Sequence, residues 1–163
     1  MNFQPKIKSI KEKKLVGKRQ SMSLANYTVQ ELWHEFMLEK ALINYRANQQ
    51  LISMVIYPSN YFERFNPNTT FEKWASAEVS DFEDVPKNLD TFILPAGLYA
   101  IFRYKGLAAN ASNFFQYIFG DWLPSSGYEL DQRPHFEVLD PDYKPNDPSS
   151  EEDIYIPIQS TVA

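Results

Sequence analysis

The chain has 163 residues, 44% of them apolar and 15% aromatic, with a formal net charge of −5 and no cysteine. That length supports one sizeable core, the composition excludes a disordered chain, and the missing cysteines exclude disulfides, thiolate metal sites and cysteine nucleophiles. The acidic balance argues against direct nucleic-acid binding, no run approaches the ~18 apolar residues of a membrane span, and Met1 to Lys6 carries no signal-like stretch, so a cytoplasmic protein without a membrane partner is expected.

Lys6, Lys8, Lys11, Lys13, Lys14, Lys18 and Arg19, interspersed with Ile7, Ile10, Leu15 and Val16, read as strand-like over 5–22. Lysines there discourage edge pairing, a reading preferred to a DNA-binding arm. Thr28-Val29-Gln30-Glu31 offers a capping box, and Val29, Leu32, Trp33, Phe36, Met37 and Ile43 recur at helical spacing, predicting a helix over 28–45. Leu51 to Tyr57 is a buried-strand pattern closed by Pro58-Ser59-Asn60, and Phe71 to Val79 alternates as a half-exposed strand.

Asp81 to Asp90 reads as a linker, after which the order repeats. Leu94 to Tyr104 is a strand, with Gly97 and Gly106 near its ends. Asn110 or Ser112 caps a helix over 112–122 that buries Phe114, Phe115, Ile118, Phe119 and Trp122, and Pro124 with Ser126-Gly127 stops it. Strands His135–Leu139 and Ile154–Ile158 follow, separated by the loop Asp140–Ser150. The expectation is one α+β domain over 1–163 with similar halves at 5–80 and 91–159. Two βαββ units form one curved antiparallel sheet, with two helices on one face and a ligand cleft on the other.

Glu137 interrupts the otherwise apolar run Phe136-Glu137-Val138-Leu139. A carboxylate taken out of water must find a cation, hydrogen-bond donors or a proton, so this position is the leading site candidate. Along a strand Phe136 and Val138 point one way and His135, Glu137 and Leu139 the other. If Phe136 packs on the helices, Glu137 faces the helix-free side. Candidate walls there are Trp74, Tyr57, Tyr61, Phe65, Tyr99 and Tyr155, since a ring near a cation contributes about 0.5–2 kcal/mol.

Other chemistry is sparse. His34 and His135 are the only histidines and read as surface or satisfied groups, Glu78 as a solvated glutamate, and Glu151-Glu152-Asp153 as the solvated start of a strand. The sequence lacks a metal-ligand set, a Gly-x-Ser-x-Gly elbow, a phosphate-cradling glycine loop and a His-Glu-x-x-His helix, so no metal and no cofactor is expected.

Leu94-Pro95-Ala96-Gly97-Leu98-Tyr99-Ala100 with Gly106, Trp122 to Tyr128, Arg133-Pro134-His135-Phe136-Glu137 and Ile154-Tyr155-Ile156-Pro157-Ile158 resemble, in order and spacing, the GyrI-like, AraC-type effector-binding domain family of bacteria. The resemblance covers about 92–158 well, and the first half in element order and around Trp74. It departs at Leu139, where the family commonly has tyrosine. It implies a stand-alone duplicated βαββ fold whose hydrophobic cleft binds small, often cationic amphipathic molecules, with Glu137 as the acid of the cleft. Two alternatives accompany this multidrug-type binding. One is hydrolysis of reactive cyclopropane-type toxins with Glu137 as the catalytic group, and the other is a regulatory protein partner, in gyrase inhibition or transcription.

Overall fold

The computed structural model describes residues 4–161. The basic stretch forms two strands, β1 (Lys6–Ile10) and β2 (Lys13–Met22), instead of one. Helix α1 spans Val29–Glu39 and ends in a 3-10 turn, Lys40–Leu42. It starts after Thr28 as predicted, but the capping box is not made: the Thr28 hydroxyl donates to Oε1 of Gln20 at 3.2 Å. Leu32 and Phe36 are buried, whereas Met37 leaves the predicted stripe and is 49% exposed.

Strands β3 (Leu51–Ile56) and β4 (Phe71–Val79) match the sequence pattern. A further strand, β5 (Asp90–Leu94), runs from the last residue of the expected linker to the first residue of the predicted Leu94–Tyr104 strand, the rest of which is β6 (Gly97–Lys105). Helix α2 (Ala111–Tyr117) runs on through a π turn, Ile118–Trp122, into a last turn, Leu123–Ser125. Pro124, expected to stop the helix, lies within this continuous run as the second residue of its last turn. Strand β7 (Tyr128–Leu130) was not predicted. Strand β8 (His135–Leu139) was, and β9 (Glu151–Ser160) is twice the length of its predicted segment.

All pairings are antiparallel and the order is β1-β6-β9-β8-β3-β4-β2-β5, with β7 beside β9. The duplicated units are β2-α1-β3-β4 and β6-α2-β8-β9, joined where β3 meets β8. Each unit lends its preceding strand to the other, since β1 pairs with β6 and β5 with β2.

This exchange dictates the curvature. β1 and β2 lie six strand spacings apart in the sheet order, about 29 Å if the sheet were flat. The two residues between them reach at most ~10 Å. Pro95 and Ala96 impose the same limit between β5 and β6. The sheet must therefore curl until its two edges approach.

The core follows that geometry. Residues from all eight strands of the main path meet in one cluster on the inner, helix-free face, including Leu15, Met54, Trp74, Leu94, Tyr99 and Phe136, with Ile10 and Tyr155 packed against it. The outer face carries both helices. α1 covers Val16, Val55, Phe71 and Ala75, and α2 covers Ala100, Phe102, Ile154 and Ile156. The α+β class, the single antiparallel sheet and the two helices on one face are as expected from the sequence.

Candidate functional site

The strand register places Glu137. Ala75, Ser53, Glu137, Ile154 and Phe102 form one row across β4, β3, β8, β9 and β6. Opposed residues on antiparallel strands share a face, so Glu137 shares its face with Ala75, which lies under α1, and Phe102, which lies under α2. It stands on the floor of the groove between the helices. Phe136 packs instead on the inner face, stacked on Tyr155 at 4.3 Å and edge-on to Tyr99 at 5.2 Å. The condition that would have turned Glu137 to the helix-free side therefore fails.

The candidate rings divide accordingly. Trp74, Tyr99 and Tyr155 belong to the inner cluster and lie across the sheet from Glu137. Trp74 is 2% exposed and donates from Nε1 to Glu72 at 2.6 Å. Tyr99 is fully buried, with its hydroxyl donating to the Pro134 carbonyl at 2.9 Å and the Arg133 guanidinium 4.6 Å over its ring. On the inner face a depression of about 210 Å3 lies beside Lys13, Gln50, Glu78 and Tyr155. Glu78 there is not simply solvated: it pairs with Lys13 at 3.4 Å.

Tyr57 and Tyr61 do reach the groove. Beyond its last residue β3 carries Tyr57, whose ring meets His135 edge-on at 4.9 Å and Tyr61 at 4.6 Å. Phe65 is mostly exposed and meets Tyr61 edge-on at 5.9 Å. Two residues missed by the sequence reading complete it. Phe62, from the loop after β3, stacks on His135 at 5.5 Å and on Phe119 of the π turn at 5.1 Å. Tyr57, Tyr61, Phe62 and His135 line a cleft of about 670 Å3 between the Tyr57–Glu63 loop and the Gly127–Arg133 segment, and Phe65, Phe119 and Glu137 lie outside that lining.

His135 is buried in this stack, and burial first and Arg133 second push its pKa down to about 3. It is neutral near pH 7 and adds no charge that would repel a cation. The Tyr57 hydroxyl is held well above the usual phenol range by burial, then by Tyr61 and by the Glu137 carboxylate.

Glu152 is the acidic residue that the sequence reading misplaced. It is 3% exposed, on the same face as Glu137 and on the next strand, where the two side chains are diagonal neighbours. Burial and the neighbouring Glu137 charge raise its pKa strongly, so it keeps its proton at neutral pH. The alternation Glu152, Ile154, Ile156, Ile158 carried the signal, because it puts Glu152 in phase with three buried isoleucines. His34 lies exposed on α1, as expected.

Such a site can hold a cationic amphiphile, with rings for its apolar body and a carboxylate for its charge. Comparisons with known proteins bear on the family and the fold. The transcriptional regulator BrlR of Pseudomonas aeruginosa is 38% identical over 93 residues, 56% of this chain, and the matched part spans only about a third of the regulator. Among solved structures, SAV2435 bound to tetraphenylphosphonium superposes with a TM-score of 0.73 at 14% identity, covering 98% of this chain and 94% of the other. A hydrolase from Listeria innocua gives 0.60 at 10% identity, covering 96% and 92%. At those identities the likeness is one of fold. Residues 3–159 match the GyrI-like small molecule binding domain, and with the duplicated units, the curled sheet and the acid-floored groove in place, the chain belongs to that family.

Proposed function

We propose that the groove between α1 and α2 binds a hydrophobic, cationic amphipathic small molecule. Its apolar body lies against Tyr57, Phe62, Phe119 and His135, and its charge is directed at Glu137. One observation carries the reading: Glu137 is a half-buried carboxylate beside aromatic side chains, and no lysine or arginine among the described residues forms an ion pair with it. A carboxylate in that setting gains from a cation that the protein itself does not supply.

Glu137→Gln keeps shape and hydrogen bonding but removes the charge. Its affinity for tetraphenylphosphonium is expected to fall by about 1.5–3 kcal/mol, roughly tenfold to a hundredfold, while a neutral triphenyl compound binds as before. Fluorescence or calorimetric titration of both ligands checks this. Equal losses for the two ligands would sink the electrostatic role.

A second reading rests on two carboxyls set as diagonal neighbours on adjacent strands, with burial raising the pKa of Glu152, the arrangement of a general acid beside a general base. The groove would then hydrolyse an electrophilic, cyclopropane-type substrate. Glu137→Gln should in that case lower turnover ~10²–10⁴-fold with substrate binding nearly intact, read by product mass.

A further inference from the structure

The two acids on the groove floor come from adjacent strands. Glu137 lies opposite Ile154 and Leu139 opposite Glu152, so the two glutamates are diagonal neighbours on one face, within side-chain reach. Glu152 is 3% exposed, and its Oε2 has no hydrogen-bond partner among the described residues. Two carboxyls within reach of each other on a buried face repel when both are ionised, which favours a proton on one of them.

The charged and titratable groups around them are few. Tyr57 comes from the end of β3, Lys73 from β4, Arg103 and Tyr104 from β6, and Tyr143 from the loop before β9. Lys73 and Arg103 favour the ionised form of Glu152, but neither forms an ion pair with it, and Arg103 is engaged by Asp140, Glu151 and Asp153.

We propose that Glu137 and Glu152 act as one unit that holds a single shared proton, and that entry of a cationic group into the groove releases this proton to solvent. Glu152 is then the residue that makes cation binding a proton exchange. The inference rests on the reading of the groove as a cation site and adds to it a stoichiometry and a pH dependence. Below the pH at which the free pair loses its proton, a ligand must displace that proton, so affinity climbs with pH. Above it, affinity is level.

Calorimetric titration of the full chain with tetraphenylphosphonium, in buffers of different ionisation enthalpy between pH 5.5 and 8.5, reads the proton directly. Carbon-13 carboxyl resonances of the ligand-free protein read the pair by itself. For the wild type the expected results are release of up to one proton, an affinity rising by as much as tenfold per pH unit, and a single raised carboxyl titration. Glu152→Gln should bind with no proton release and with an affinity flat in pH. Binding without proton release in the wild type, or release that persists in Glu152→Gln, overturns the exchange while leaving the cation site standing. No binding at any pH overturns both, and the carboxyl titration then shows whether the shared proton itself exists. The wild-type measurement needs no variant, so a poorly folding substitution does not spare the proposal.

Discussion

Replacement of Arg133 by alanine is expected to lower the unfolding free energy by about 3–5 kcal/mol, because it removes a buried charge that several partners need. The guanidinium accepts no substitute easily. Nε donates to Asp131 at 2.8 Å, Nη2 donates to the carbonyls of Leu98 at 2.7 Å and Ile158 at 3.2 Å, and the plane lies over Tyr99. It therefore ties the turn before β8 to the start of β6 and the end of β9. Gly97 makes room for it, since a Cβ at that position would come within 2.3 Å of Nη1. Arg133→Lys should recover only a minor part of the loss, because an ammonium cannot reproduce the planar fork. Chemical denaturation of the three proteins checks the order. A cost of under 1 kcal/mol for the alanine variant would show that the clamp is not what holds these strands in register.

Between pH 5 and pH 8 Glu152 is expected to withdraw about 2–4 kcal/mol from the stability of the wild type, and Glu152→Gln should abolish that limb. Its folded pKa is raised above its unfolded value by burial and by Glu137. The protonated form is the one the fold favours, so the contribution is complete below the unfolded value and is lost as pH rises through the folded one. His135 runs the other way. Its folded pKa is lowered to about 3 from 6.5, so the contribution of its neutral form is complete above 6.5 and is lost as pH falls toward 3. Comparing the two proteins at each pH cancels the histidine. Thermal or urea unfolding across the range should show the curves converging near pH 5 and parting toward pH 8. Parallel curves would mean that Glu152 is ionised in the folded protein.

Much of the fold and one residue of the candidate site were legible in the chain. Helical spacing located α1 and α2, because each buries a single stripe whose period differs from that of a strand. Apolar alternation located β3, β4, β6 and β8. Glu137 stood out because a charge in an apolar strand is costly wherever that strand ends up, so its oddity is a local property. Glu152 was hidden for the opposite reason. Flanked by Glu151 and Asp153 it looks solvated, and only the full length of β9 puts it in phase with Ile154, Ile156 and Ile158.

The sequence by itself thus determined the order of elements within the two βαββ units and the presence of an acid in an apolar strand, both of which depend on neighbours along the chain. Only the tertiary structure decided which face that acid occupies. The exchange of β1 and β5 between the halves, with two-residue connections, forces the sheet to curl and closes its helix-free side around Trp74, Tyr99 and Phe136. Glu137 and its neighbours are thereby left on the outside, between the helices. Alternation fixes which residues of a strand share a face, but it carries no sign, and the choice between the two faces is made by contacts among strands far apart in sequence. The same holds for the union of Glu137 with Glu152 and of Phe62 with Phe119 and His135, which the register and a loop bring together across stretches that say nothing of one another.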